Sequence, residues 1–285
     1  MFALMAPAKI NLTLEVLGKR PDGFHEIRSV LQTVNLCDRI SFQPSQKISF
    51  QCDKSGWTAE LSLVNRSVKL LQEATGCSSG AKIEVTKRVP LLSGLGGDSS
   101  DAAATLRGLN HFWGLGLTQE KLLELSAQLG SDVPFFIWGG TALAEGRGEV
   151  VAPLPPLADR WVVLVVPRVS RESGKTARLY ASLKPGHYTD GHITRRLAEV
   201  LIARREIRSS MLFNTFENVA FKLNSELNKV YREHIIKLGA PHVHLAGSGP
   251  TLFTMLKDKT QADDLLIRCQ NQGMEAYRVG IGEKP

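Results

Sequence analysis

Cysteine is scarce. Cys37, Cys52, Cys77 and Cys269 are the only four in 285 residues, scattered without the paired spacing of a zinc site or a disulfide framework. A reducing, cytoplasmic setting is expected. Long apolar runs are also missing: no stretch approaches the roughly 20 residues of a membrane span, so no membrane partner is expected. The N-terminal Met1-Phe-Ala-Leu-Met-Ala-Pro7 has no basic region ahead of its short apolar run and does not read as a secretory signal. There are no internal repeats and no low-complexity tracts, which excludes solenoids and fibrous chains. The basic residues are spread out and form no aromatic-interleaved RNA motif, so no nucleic-acid partner is expected.

What remains is a globular composition, 43% hydrophobic and 22% charged, with a formal net charge of +7. The excess of positive charge suits anionic small substrates. The length favours two domains. Pro153-Leu-Pro-Pro156 is the best linker, which predicts units over residues 1–155 and 156–285. Alternation of Ile10, Leu12, Leu14 and Val16 predicts a half-buried strand with Lys9 and Asn11 on its polar face. Arg39–Phe42 and Ile48–Cys52 read as short antiparallel strands. Val64–Ala74 reads as a helix with Val64, Val68, Leu71 and Ala74 inward, and Phe216–Leu238 as one long helix. Residues 184–191 read as a mobile loop. The mixture is α+β.

The chemistry concentrates in one stretch: Pro90, Leu91, Leu92, Ser93, Gly94, Leu95, Gly96, Gly97, Asp98, Ser99 and Ser100, followed by Asp101 and three alanines. It lies between a strand-like run, 82–89, and a helix former. Glycines let a ligand approach the backbone, and free N–H groups at a helix start attract anions. The same stretch also reads as a capped helix start, with Asp98, Ser99 or Ser100 as N-cap. It is neither a Walker A loop, since no Lys-Ser/Thr follows, nor a dinucleotide fingerprint, since the last glycine is missing. A second glycine turn, Gly247-Ser248-Gly249, reads as a hairpin or another close approach to a charged ligand. Asp132 stands at an element boundary. His242 and His244 share a strand face but have no matching third ligand nearby, so no protein-held transition metal is expected.

Three of these features together, Ala6-Pro-Ala-Lys9-Ile-Asn11, Pro90–Ser100 and Gly247-Ser-Gly-Pro-Thr251, resemble the three motifs of the GHMP small-molecule kinases. The order and spacing of the motifs fit over nearly the whole chain. Arg20-Pro-Asp-Gly-Phe24-His25-Glu26, Leu129-Gly-Ser-Asp132 and Thr176-Ala-Arg-Leu-Tyr180 resemble the branch that acts on a cytidyl diphosphate sugar alcohol. The resemblance implies an N-terminal domain like ribosomal protein S5 domain 2, a ferredoxin-like C-terminal domain and an active site in the cleft between them. It implies ATP and Mg²⁺ as cofactors, with residues 90–100 holding the ATP phosphates, Ser100 nearest the metal and Asn65 on the adenine side. Asp132 would accept the hydroxyl proton and Lys9 would orient it. A cation weakens a neighbouring carboxylate as a base, which the loose transition state of phosphoryl transfer tolerates. His25 would read cytosine between Phe24 and Tyr180, with Asn11, Thr176, Gly247, Ser248 and Gly249 also on the substrate side. Asp98 departs from the family pattern, where a glycine or other small residue is frequent. The resemblance further implies small-molecule partners alone and a monomer or weak homodimer. Two alternatives are a GHMP kinase for homoserine, a sugar or mevalonate, and a nucleotide- or RNA-binding protein without activity.

Overall fold

The computed structural model describes residues 2–157, 160–170 and 174–281. In the first half the elements are β1 (Phe2–Lys19), β2 (His25–Gln43), β3 (Ser49–Cys52), α1 (Leu63–Thr75), β4 (Lys82–Thr86), α2 (Gly97–Phe112), α3 (Gln119–Leu129), α4 (Val133–Trp138), β5 (Thr141–Glu145) and β6 (Val150–Pro153). The second half supplies β7 (Trp161–Val166), α5 (Lys175–Ser182), α6 (His192–Ile202), β8 (Phe213–Asn214), α7 (Glu217–Leu223), α8 (Glu233–Lys237), β9 (His244–Leu245), β10 (Leu252–Leu256), α9 (Lys259–Asn271) and β11 (Glu275–Gly280). No helix among the described residues is long and apolar enough to cross a membrane.

A long β1–β2 hairpin is the frame of the first sheet. The order is β3-β4-β2-β1-β8, with β5 also pairing β2 and β6 pairing β5. The second sheet runs β11-β7-β10-β9, antiparallel throughout. With helices after its first and third strands it is a β-α-β-β-α-β unit, the ferredoxin-like arrangement. The halves are interleaved: β8 pairs in parallel with β1, at Thr13↔Phe213 and Leu14↔Asn214. One core cluster takes Ala8, Ile10 and Leu12 from β1 together with Val162, Leu164 and Phe253 from the second sheet.

Several expectations change. The first strand is not half-buried; residues 6–16 are buried on both faces, because helices cover one side and the second sheet the other. Thr13 and Glu15 therefore need internal partners. Glu15 accepts from the Thr194 N–H at the start of α6 at 2.6 Å, and Thr13 Oγ1 accepts from Val30 N–H. Arg39–Phe42 belongs to one continuous β2, and β3 pairs with β4 in parallel rather than with β2. Ala74 is exposed, while Val64, Val68 and Leu71 are buried. The 216–238 helix breaks at Asn224, whose side-chain oxygen accepts the Leu227 N–H at 2.9 Å and so starts a new segment. The 184–191 segment contains a 3₁₀ turn and is tied to β1 by Thr189 N–H donating to Val16 C=O at 3.1 Å.

One buried ion cluster anchors the glycine stretch. Lys87, just beyond β4, donates to Asp38 Oδ2 at 2.5 Å and Asp101 Oδ2 at 2.7 Å, and all three side chains are at most 2% exposed. Asp38 Oδ1 also accepts the N–H groups of Arg88 and Val89. Burial works against the Lys87 ammonium, but the charges of Asp101 and Asp38 outweigh it, so its pKa is raised above 10.5. The stability that this shift contributes is present below 10.5 and is lost as pH climbs through the raised value. Lys87→Met leaves two carboxylates buried without their cation. The expected cost is about 3–5 kcal/mol, read from denaturant unfolding at neutral pH, with a shallower alkaline decline than the wild type. An unfolding midpoint equal to wild type would refute the anchoring role.

Candidate active site

The glycine stretch forms a loop against α2. Helix α2 begins at Gly97 with Gly96 as its cap, at φ 73° and without a side-chain cap bond. The expectation of Asp98, Ser99 or Ser100 as N-cap is therefore corrected: the helix starts earlier, because only glycine takes this left-handed cap without strain. Ser100 N–H donates to Gly96 C=O, which leaves the preceding N–H groups of the first turn for a ligand. Leu92 sits at φ 52° and is 59% exposed, a strained conformation for a bulky residue. With Pro90 and Leu91 it lines a cavity of about 300 Å³ shared with Lys54, Arg88 and Tyr277.

The glycines meet a need different from the one expected. The protein itself occupies the places where their side chains would be. A Cβ on Gly94 would lie 2.3 Å from Ala246 C=O and 2.8 Å from Gly249 C=O. One on Gly96 would meet the Phe136 ring and the Lys9 stem, and one on Gly97 would meet Val89 and, at 3.4 Å, Lys87 Nζ. The two glycine turns are thus packed backbone to backbone, and Thr251 N–H donates to Ser93 C=O. Asn214 on β8 fixes the second turn by donating to the carbonyls of Leu245 and Gly247 at 2.8 Å each.

Lys9 and Asp132 meet beside these turns. Lys9 is 4% exposed. Its Nζ lies 3.4 Å from Asp132 Oδ2 and donates to Asn11 Oδ1 at 2.8 Å. Asn11 in turn donates to Ser29 Oγ, which donates to Thr13 C=O. Lys9 N–H donates to Leu95 C=O, so its backbone is stitched to the loop. A Cβ on Gly247 would lie 3.0 Å from Lys9 Nζ. Asp132 stands ahead of α4 without capping it through its side chain, so its carboxylate is left to Lys9 and to the opening.

The aromatic residues lie on the other side of Asp132. The charge of Asp132 reaches the Tyr180 hydroxyl, which burial first and that charge second push up to about 12. The His25 and Tyr180 rings are stacked at 4.7 Å, Tyr188 lies edge-on to His25, and Phe216 edge-on to Tyr180. Tyr180 therefore backs His25 rather than standing open as one jaw. Phe24 is apart from this group, 52% exposed, with the Arg147 guanidinium 4.7 Å over its ring. Burial, with the Lys19 charge added, holds His25 below its ordinary 6.5. Thr176 and Ser248 share a hydroxyl hydrogen bond at 2.8 Å, and Lys175 donates to Gly249 C=O.

Ser100 Oγ is buried and, among the described residues, without a hydrogen-bond partner. Asp98, in the first turn of α2, is turned toward the Leu63 N–H. Burial raises its carboxyl against the pull of Lys87, that hydrogen bond and Arg66. Asn65, in the first turn of α1, lies near that point. His242 and His244 come within 6.4 Å of each other, and His244 faces Glu217. Sequence reasoning missed Lys87, Asp38, Arg147 and Asn214. Their signal was at most a lone charge or amide beside a turn.

Backbone-to-backbone packing of the two turns makes Gly94 sensitive. Gly94→Ala has both a positive φ of 87° and the 2.3 Å approach against it. A loss of about 3–10 °C in Tm is expected, on about 1–3 kcal/mol for strain at positive φ. Gly18→Ala, with nothing within 4 Å, is the control and should melt like the wild type.

Comparison with known proteins agrees with this geometry. Residues 62–140 match the family model of the GHMP kinases N terminal domain, and residues 195–273 that of the GHMP kinases C terminal. A 4-diphosphocytidyl-2-C-methyl-D-erythritol kinase of Dehalococcoides mccartyi is 50% identical over 279 residues, 98% of each chain. The enzyme of that name from Gloeobacter violaceus is 40% identical over 96% of this chain and 92% of its own. The crystal structure of a 4-(cytidine 5'-diphospho)-2C-methyl-D-erythritol kinase superposes with a TM-score of 0.82 at 30% identity, covering 99% of this chain and 100% of the other. With both domain models matched and relatives similar from end to end, the chain belongs to the GHMP kinases, and within them to the family of the 4-diphosphocytidyl-2-C-methyl-D-erythritol kinases.

Proposed function

We propose that the chain transfers the γ-phosphoryl group of ATP to the 2-hydroxyl of 4-diphosphocytidyl-2-C-methyl-D-erythritol, giving the 2-phosphate and ADP in non-mevalonate isoprenoid synthesis. The observation that carries the reading is the Lys9–Asp132 pair, 3.4 Å apart, set between a helix-start anion site and an aromatic group that contains a histidine. The unit 1–155 brings the pair, the glycine loop and His25. The unit 156–285 brings Thr176, Tyr180 and the Gly247–Gly249 turn.

Each residue has a role that follows from its surroundings. The loop N–H groups and the start of α2 hold the ATP phosphates. Asp132 orients the substrate hydroxyl and takes its proton late in the transfer. Lys9, fixed by Asn11 and Ser29, holds that carboxylate and offsets charge on the moving phosphoryl group. Ser100 fits a metal ligand, since its buried hydroxyl has no partner among the described residues. Mg²⁺ bound there with ATP would neutralise phosphate charge. Cytosine presents a donor and acceptors along one edge, and a neutral imidazole offers one of each. Keeping His25 below its ordinary value holds it in that neutral form at pH 7.

Three measurements test this. In an ADP-coupled assay with a panel of acceptors, the cytidyl substrate should be phosphorylated and homoserine and mevalonate should not. Asp132→Asn and Lys9→Ala should each lower kcat by at least ~100-fold; near-normal turnover in folded variants would remove the assignment. In the wild type, KM for the cytidyl substrate should rise as pH falls below 6.5, where His25 gains a proton, while KM for ATP stays level. A flat KM profile for the cytidyl substrate would take His25 out of the base site.

A further inference from the structure

Arg147 lies where the two ends of the proposed substrate would meet. It sits in the turn between β5 and β6, which is riveted to β2. Ile27 N–H donates to Gly146 C=O at 2.8 Å, and Arg28 Nε donates to Glu145 Oε1 at 2.7 Å. The next residue, Gly148, packs on the corner that carries the reacting carboxylate: a Cβ there would lie 3.4 Å from Ser131 Cβ, one residue before Asp132. In the other direction the Arg147 guanidinium reaches the Phe24 face, beside His25. The side chain thus spans from the Asp132 corner to the aromatic turn.

Its charge is weakly committed. The nearest carboxylate, Glu149, stands 3.6 Å away and faces Nε; its other oxygen accepts the Arg147 backbone N–H at 2.6 Å. Asp22 feels the Arg147 charge but makes its own ion pair with Arg20. Among the described residues nothing accepts from the terminal amino groups of Arg147. Three other cations nearby are occupied, Lys9 by Asp132 and Asn11, Arg20 by Asp22 and Glu26, and Arg28 by Glu145, while Lys19, whose charge reaches His25, is exposed at the end of β1. A planar guanidinium with free amino groups, pre-placed on a ring by a cation–π contact, is a bidentate receptor for phosphate oxygens.

We propose that Arg147 binds the diphosphate linking the cytidine to the sugar alcohol, and so sets specificity for a cytidyl diphosphate over a nucleoside or a plain polyol. The proposal rests on the cytidyl reading above. Phe24 then serves as the platform that aims the guanidinium.

The test is calorimetric titration of the full chain with cytidine and with CDP, the ATP site being filled with a non-hydrolysable ATP analogue. For Arg147→Gln, CDP affinity should fall by about 10- to 100-fold, the scale of hydrogen bonds to a charged group, and cytidine affinity should stay within about twofold. KM for the cytidyl substrate should rise while KM for ATP holds. Arg147→Lys should recover part of the loss, since the charge returns without the fork. Equal losses for cytidine and CDP would overturn the proposal, leaving Arg147 as a support for Phe24 only, as would no loss for either. A wild type that takes CDP and cytidine alike and a variant that matches it would remove this proposal alone. A wild type that takes neither would remove it together with the cytidyl reading.

Discussion

The Lys87 ammonium, buried between Asp38 and Asp101, is the contact on which the site depends. It ties together three parts of the chain: β2, the exit of β4, which pairs with β2, and the second turn of α2. A cation and two carboxylates out of water are costly unless each is well paired. Asp38 is satisfied on both oxygens, whereas Asp101 Oδ1 has no hydrogen-bond partner among the described residues. Burial, with Asp38 near, holds the Asp101 carboxyl well above its usual range against the pull of Lys87. The start of α2 therefore sits at a fixed height over the sheet, and its free N–H groups face one place.

From that fixed point the cleft follows. Lys9 comes to the loop because β1 is buried on both faces and Lys9 N–H is bonded to Leu95 C=O. The C-terminal turn comes to the same place because Gly94 and Gly249 leave no side chains between the two backbones. Asn214 reaches across from β8 to hold that turn, and β8 is itself a strand of the N-terminal sheet. The two halves are laced at the site as well as packed around it. The cleft is accordingly a stiff platform, the condition for holding reacting groups within tenths of an ångström.

Local patterns made much of the fold legible. Alternation marked β1, helical spacing marked α1 with Val64, Val68 and Leu71 inward, and the Thr118 hydroxyl caps α3 by accepting the Lys121 N–H. Misreadings came where distant packing overrode local preference. Alternation along β1 implied a wet face, but the start of α6 covers it, where Thr194 donates to both Thr13 and Glu15, so these two are core residues. The 216–238 run is helical in composition, yet Asn224 offers its own oxygen to Leu227 N–H and splits it. The loop glycines suggested room for a ligand, whereas their missing side chains make room for Lys9, Phe136 and the opposite turn.

The sequence alone determined the types of group available: a glycine run before a helix, one lysine on an early strand, one aspartate at a corner and a histidine after a turn. Those depend on composition and spacing over a few residues, which a linear reading can weigh. Only the tertiary structure decided which of them meet. That Lys9 faces Asp132 from far along the chain, that Lys87 is a buried anchor rather than a surface charge, and that Arg147 stands over Phe24 depend on sheet register and helix docking. Those contacts are made between segments far apart in the chain, and no local preference encodes a distance between them.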